Sequence, residues 1–265
     1  MMPLAQKTAA GHYRFANVAR MEWIKLRSLR STWLTLAITV VGAVAIAVAV
    51  GLNTKNAAGD LTNNALAGMI PGLLFAGVLG VLVMTVEYTS GTIRATLAAI
   101  PRRPWVLTAK AAVFGGVALV LGETAAFISF FAGGAFLRDG IQAPVLSQPG
   151  VLRAVVLGGA GFCLVGLLGV GLGAIIRHTA AAIAVLVGGV YILAQGIASV
   201  GHGLAAYMPI IIVGSSLSTT KPQACPAGAA QCPHFLSAWA GLGVLGLYAA
   251  VALAIGGWLL ARRDA

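Results

Sequence analysis

Long apolar segments alternate with short polar segments along the chain. A helix needs about 20 mainly apolar residues to cross the hydrocarbon core of a bilayer. The segments that meet this requirement are residues 33–52, 65–86, 105–131, 152–176, 179–200 and 235–260. The pattern predicts an all-α integral membrane protein with six transmembrane helices. It divides the chain into an N-terminal segment, residues 1–32, and a transmembrane domain, residues 33–265.

Composition supports a membrane protein and argues against a nucleic-acid-binding one. Hydrophobic residues make up 59% of the chain and charged residues only 9%, whereas about a quarter of the residues of a soluble domain are charged. A formal net charge of +11 would fit a nucleic-acid-binding protein. The basic residues, however, lie between the apolar segments and do not form one polar domain. We therefore expect a lipid bilayer and no nucleic acid as a partner.

The distribution of basic residues predicts the orientation of the chain. If the N-terminus lies in the cytoplasm, thirteen of the 17 Lys and Arg residues fall on the cytoplasmic side. Lys and Arg accumulate in the cytoplasmic loops of membrane proteins. We expect both termini in the cytoplasm and the protein in the plasma (inner) membrane of a bacterium.

The N-terminal segment carries an apolar stripe at helical spacing. Its members are Phe15, Val18, Ala19, Leu26 and Leu29. The stripe predicts an amphipathic helix that lies at the membrane interface, with its basic side toward lipid headgroups. Glu22 falls on the same stripe, and we expect a nearby arginine to neutralise it. The alternative is a basic tail that only sets the topology.

The loop between the second and third predicted spans is also amphipathic. Ser90 can cap a short helix there, and Pro101 must end it. The apolar residues that share one face of this helix are Ile93, Leu97 and Ile100. We predict a short cytoplasmic helix whose apolar face is exposed and contacts a soluble partner. The alternative is that the arginines of this loop only hold anionic headgroups.

The same loop carries the one motif-like segment of the chain. From Glu87 it reads E-Y-x-x-G-T-I-R-x-T-L-x-x-x-P-R-R, and Lys110 follows seven residues later. This segment, with the basic N-terminal helix and six spans, resembles the permease subunits of type 2 ATP-binding-cassette exporters. In that family the matching segment is the coupling helix, which seats in a groove on the nucleotide-binding subunit. The resemblance implies that role here for Glu87, Gly91, Thr92, Arg94, Leu97 and Pro101, to which the apolar face adds Ile93 and Ile100.

No G-x-x-x-x-G-K-[ST] loop, which would bind nucleotide phosphates, occurs in the sequence. We therefore expect a permease subunit that is not itself an enzyme and binds no cofactor, with ATP and Mg held by a partner ATPase. The resemblance implies a homodimer with two ATPase subunits. Its expected activity is export of an amphipathic substrate, such as a drug, a peptide or a lipid. The alternatives are an ion-gradient-driven secondary transporter and a non-transporting sensor or assembly subunit.

Glu123 is the only acidic residue inside a predicted span. An ionisable residue within a membrane is a functional candidate, because it is costly unless it faces a cavity or a partner. We predict that Glu123, and less strongly Gln195, lines a translocation path. The alternative is a structural carboxyl group bonded to a neighbouring helix.

Cys225 and Cys232 lie in the longest outer loop, in the run CPAGAAQCP. Disulfides form on the oxidising side of a membrane, so we predict that these two cysteines are bridged. Metal binding with His202 and His234 is the alternative, but the spacing matches no recognised zinc site. We therefore predict no metal site, and a packing role for Cys163.

The second predicted span has small residues at every fourth position. They are Gly68, Gly72, Ala76 and Gly80. Four small residues on one face allow another helix to approach closely. We expect this face to pack within the chain and not to form a subunit interface.

Overall fold

All the secondary structure that the computed structural model describes is helical. The described residues are 14–28, 30–55, 59–100, 103–138, 140–193, 204, 206–219 and 236–262. In chain order, the helices are α1 (Phe15–Ser28), α2 (Arg30–Asn53), α3 (Leu61–Ala65), α4 (Met69–Thr89), α5 (Thr92–Ala99), α6 (Pro104–Ala135), α7 (Val151–Ile176), α8 (Thr179–Val187, continued by a π-helical turn, Gly188–Ile192), α9 (Pro209–Ser216) and α10 (Ala238–Arg262).

Five of these helices are long and apolar enough to cross a membrane: α2, α4, α6, α7 and α10. The predicted all-helical fold is confirmed, and the chain has the character of a multi-pass membrane protein. The predicted span over residues 179–200 corresponds to α8, whose helix and π-helical turn reach Ile192. Residues 194–200 and Gln195 among them lie outside the described part of the chain. A sixth span therefore stays a prediction.

Helix α7 lies at the centre of the bundle. It packs against α4, α6 and α10, and it is the most buried of the five long helices. Small residues make its contact with α4 possible: a Cβ atom on Gly80 would overlap the carbonyl oxygen of Gly166, and one on Gly169 would overlap that of Gly77. At the other end of the same stripe, Gly68 touches the backbone of Ala43 in α2. The predicted close packing of this face within the chain is confirmed.

One end of the bundle is rich in basic residues. Helix α1 and the start of α6 meet there, and α5 connects the end of α4 to the start of α6. The Arg177 side chain joins the ends of three helices at this level: it donates to the carbonyl oxygen of Leu259 in α10 (3.3 Å) and lies over the ring of Tyr88 in α4. We call this end, with α1 and α5, the basic end.

Asp60 organises the opposite end. Its carboxylate caps α3 by accepting hydrogen bonds from the backbone amides of Thr62 and Asn63, each 3.1 Å long. It also accepts from the hydroxyl group of Ser218 (2.7 Å) and the amide of Thr219, which follow α9. This cap explains why α4 begins only at Met69 instead of near residue 65: a separate short helix and a turn precede it.

Candidate functional site

Four charged side chains meet at the basic end and form what we call the ion cluster: Glu22 and Lys25 of α1, Glu87 of α4 and Lys110 of α6. The Lys110 ammonium donates to Glu22 Oε2 at 2.5 Å and to Glu87 Oε1 at 2.9 Å. The Lys25 ammonium donates to Glu87 Oε1 at 2.9 Å and to Glu22 Oε1 at 3.2 Å. Each acid therefore pairs with both bases, and the formal charges cancel.

Burial makes these pairs matter for stability. Glu22, Glu87 and Lys110 are each less than 5% exposed, whereas the Lys25 side chain is 35% exposed. Removing one partner of a buried pair leaves an uncompensated charge and costs about 3–5 kcal/mol. The ion cluster therefore holds α1, α4 and α6 together at this end. Lys25 also donates to the hydroxyl group of Thr96 at 3.4 Å, which ties α5 to the same point.

The ion cluster keeps Lys25 charged at physiological pH. Partial burial lowers the pKa of Lys25, but the hydrogen bond to Glu87 and the charges of Glu22 and Glu87 outweigh it, so the pKa lies above its ordinary value. A raised pKa means that the pairing stabilises the fold below the ordinary lysine pKa of about 10.4. This contribution is lost only as the pH rises through the higher folded-state value.

Local sequence explains only part of this geometry. Glu22 and Lys25 are three residues apart on α1 and so lie on one side of the helix. The expectation that an arginine neutralises Glu22 is wrong, because Arg20 and Arg27 lie on the exposed side of α1 and two lysines take that role. Val18 and Leu26 of the predicted stripe are buried beside Glu22. The helix therefore forms as predicted, while its place at the membrane interface stays a prediction.

The placement of Glu87 also differs from the expectation. The resemblance implied contact with a partner protein, but only 4% of Glu87 is exposed and it faces the ion cluster. One of its oxygens, Oε2, is buried without a hydrogen-bond partner. Two charged residues of the motif-like region, Glu87 and Lys110, thus contact each other inside the chain. Its expected role in contact with an ATPase stays a prediction.

Helix α5 begins at a glycine that the backbone requires. Gly91 has φ +70°, in the left-handed region, and a Cβ atom there would meet no neighbour. Backbone conformation, and not space, therefore favours glycine at this position. The expectation that Ser90 caps α5 is wrong: its hydroxyl group bonds to the carbonyl oxygen of Val86, at the end of α4. The predicted stop at Pro101 lies outside the described residues.

The apolar face of α5 is not open to a partner, so the prediction of an exposed face is wrong. Ile93, Leu97 and Ile100 are 3%, 9% and 5% exposed and pack into the core of the chain itself. The short connection from α4 allows α5 to fold back onto the bundle and to remove this face from water. The exposed side of α5 consists of Thr92, Arg94, Ala95, Ala98 and Ala99. We call these residues the outer face of α5.

Glu123 lies between α6 and α7. Its carboxyl group packs over Gly159, where a Cβ atom would lie 2.6 Å from Glu123 Oε1. Its Oε2 atom is buried without a hydrogen-bond partner. The structure therefore places Glu123 against a neighbouring helix, without the hydrogen bond that a structural carboxyl group would be expected to make. Its predicted role in a translocation path stays a prediction.

The cysteine predictions are tested only in part. Cys163 is buried in α7 and its thiol donates to the carbonyl oxygen of Gly115 at 3.3 Å, which confirms a packing role. Cys225 and Cys232 lie outside the described residues, so their disulfide stays a prediction. Within the described part of the chain, no group of His, Cys, Asp and Glu residues could hold a metal ion.

Sequence reasoning missed Asp60 and the pairing of Lys110 with α1. Asp60 could have been found, because an aspartate directly before Leu-Thr-Asn is a typical helix cap. The contact between Lys110 and Glu22 had no local signal, because 88 residues separate them.

The ion cluster is suited to holding helices together and not to chemistry. Each of its charged groups bonds an opposite charge, and three of the four residues are almost fully buried. The cluster therefore compensates its own charges within the bundle. The sequence matches no protein-family model and no curated protein.

Proposed function

We propose that this chain is the permease subunit of a type 2 ATP-binding-cassette exporter in the plasma membrane of a bacterium. Two copies of the chain pair with two ATPase subunits, which bind ATP and Mg and hydrolyse the nucleotide. The substrate is an amphipathic molecule such as a drug, a peptide or a lipid. The observation that carries the proposal is the placement of α5: its outer face is exposed, while its inner side packs into the core of the chain and contacts Lys25 of α1 through Thr96.

The outer face of α5 suits close contact with another protein. Ala95, Ala98 and Ala99 are small and exposed, so a partner surface can approach the helix backbone. Arg94 projects from the same face and can pair with a carboxylate of the partner. This face replaces the buried apolar face as the proposed ATPase contact.

A displacement of α5 would be transmitted directly to α4 and α6, the two long helices that it connects. Only Ser90 and Gly91 separate α5 from α4, and residues 100–103 separate it from α6. On its inner side, Thr96 meets Lys25, which is bonded to Glu87 in α4. Movement of α5 would therefore displace the ends of α4 and α6 and pull on α1. This is the mechanical connection that a separate ATPase needs to drive transport.

A bulky residue on the outer face of α5 tests the proposal. We expect Ala98→Trp to leave membrane expression unchanged and to abolish both retention of the ATPase on affinity purification and ATP-dependent transport. The matched control is Ala16→Trp, which places the same side chain at an exposed alanine of α1. If the Ala98→Trp protein kept a stoichiometric ATPase and normal transport, α5 would not be the docking element.

An ion-gradient-driven transporter is the second candidate, and the buried, unpaired Oε2 atom of Glu123 is the observation that favours it. A proton-coupled transporter needs a carboxyl group that binds and releases a proton within the membrane. Under this alternative, Glu123→Gln would abolish transport, and a proton ionophore would stop transport while ATP remained high. Under the exporter proposal, transport follows ATP and survives the ionophore.

A further inference from the structure

An apolar groove runs along the surface of the bundle between the first turns of α6 and the last turns of α10. Its volume is about 480 Å³. The residues that shape it are Leu107, Thr108 and Ala111 of α6 and Ala254, Gly257 and Trp258 of α10. The Thr108 hydroxyl group donates to carbonyl oxygens of its own helix, at Pro104 and Trp105, so it is already occupied.

Small residues create the groove. A Cβ atom on Gly256 would lie 2.8 Å from the Cβ of Ala174 in α7. The absence of a side chain at Gly256 therefore allows α10 to pack closely against the bundle. Leu107 is 2% exposed and forms the floor of the groove. A Cβ atom on Gly257 would lie 3.6 Å from its Cδ2 atom. Ala254 and Trp258 are exposed on the surface of a helix long and apolar enough to cross a membrane. The groove therefore opens sideways, toward the lipid.

The end of the groove is positively charged. Arg262 directly follows Ala261, which lines the groove, and its guanidinium group lies 4.5 Å from the centre of the Trp258 ring. This cation–π contact holds the charge beside the groove wall.

We propose that this groove binds an anionic phospholipid of the leaflet that meets the basic end. One acyl chain lies along Leu107, Ala254 and Gly257, and the phosphate pairs with Arg262. A water-soluble ligand would find almost no polar group to orient it, whereas an acyl chain matches the apolar walls. Basic residues at the membrane surface attract anionic headgroups, and tryptophan is enriched at that level. The lipid site does not depend on an ATPase partner.

The charge requirement is tested by native mass spectrometry of the purified full chain with equal amounts of phosphatidylglycerol and phosphatidylcholine. We expect preferential retention of phosphatidylglycerol. Arg262→Gln should weaken its binding about fivefold, the effect of one basic residue near an anionic surface. The control is Arg20→Gln, at an exposed arginine of α1, and it should keep the wild-type affinity.

The shape requirement is tested by a matched pair on α10. Ala254 and Ala250 are both exposed and one turn apart, but only Ala254 lines the groove. Ala254→Leu should reduce retention of phosphatidylglycerol, whereas Ala250→Leu should not, and both proteins should elute as the wild type does in size exclusion. Thr108→Leu provides a second groove-filling variant, on α6.

Three results would overturn the proposal. The first is equal retention of phosphatidylglycerol and phosphatidylcholine. The second is equal weakening by Arg262→Gln and Arg20→Gln, which would show a diffuse attraction to the basic end. The third is wild-type lipid retention in both Ala254→Leu and Thr108→Leu.

Discussion

Lys110 is the residue through which α6 joins the ion cluster. Its ammonium group is held between Glu22 and Glu87, and the residue is 3% exposed. At 1.5 Å per residue it lies about 9 Å along α6 from Pro104, so it is placed inside the bundle and not in a loop. A lysine at that depth is tolerated because two carboxylates compensate its charge.

We expect Lys110→Met to destabilise the protein strongly. Lys25 would then face two carboxylates alone, and loss of one partner of a buried pair costs about 3–5 kcal/mol. The measurement is the thermal unfolding midpoint and yield of the purified protein in detergent, with the exposed-site variant Arg20→Met as a control. The double variant Glu22→Gln/Lys110→Met should recover part of the loss, because it removes one negative charge together with the positive one. A wild-type midpoint for Lys110→Met would show that the ion cluster does not stabilise the bundle.

At the scale of the element, α5 shows how one helix can present two different surfaces. Its apolar residues face the chain's own core and its alanines and Arg94 face outward. Substitutions on the two sides should therefore have different effects. Those on the inner side act on folding, and those on the outer face act on partner binding.

The contrast between Leu97→Asp and Arg94→Glu checks this division. Because Leu97 is 9% exposed and belongs to the core, an unpaired aspartate there costs several kcal/mol and should lower the yield of membrane-inserted protein. Arg94→Glu should leave the yield unchanged and reduce retention of the ATPase, since Arg94 is exposed. Quantitative membrane blots and affinity purification measure the two effects. If Leu97→Asp expressed normally and lost only the ATPase, the apolar face would contact the partner after all.

The whole molecule has one basic end and one end organised by Asp60. The ion cluster, the Arg177 contacts and Arg262 of the lipid groove lie at the basic end. The positive-inside rule predicts that this end faces the cytoplasm, and the proposed ATPase contact requires the same orientation. The orientation can be tested without knowledge of the substrate.

Single cysteines should report this orientation. In a background where Cys163, Cys225 and Cys232 are replaced by serine, we expect Ser28→Cys and Thr92→Cys to react with a membrane-impermeant maleimide only after permeabilisation. Asn53→Cys, exposed at the opposite end of α2, should react in intact cells. The reverse pattern would place α5 outside the cell and exclude a cytoplasmic ATPase contact.

The sequence by itself determined the long helices and the existence of α1 and α5. A bilayer-crossing helix needs an uninterrupted apolar run, and an amphipathic helix shows its stripe at a spacing of three or four residues, so both are local properties of the chain. The small-residue stripe from Gly68 to Gly80 could also be predicted, because it is a local repeat of four residues in the sequence. The span boundaries differ from the prediction: α6 extends from Pro104 to Ala135, beyond the predicted 105–131.

Only the tertiary structure decided which surfaces and charges face inward. Periodicity identifies the apolar face of α5 but not whether a partner or the chain's own core covers it. Likewise, Glu22 meets Lys110 across 88 residues of sequence and Lys25 meets Glu87 across 62. These pairs form because α1 folds back against the start of α6. Their long-range contacts compensate the charges of Glu87 and Lys110, which have no oppositely charged partner nearby in the sequence.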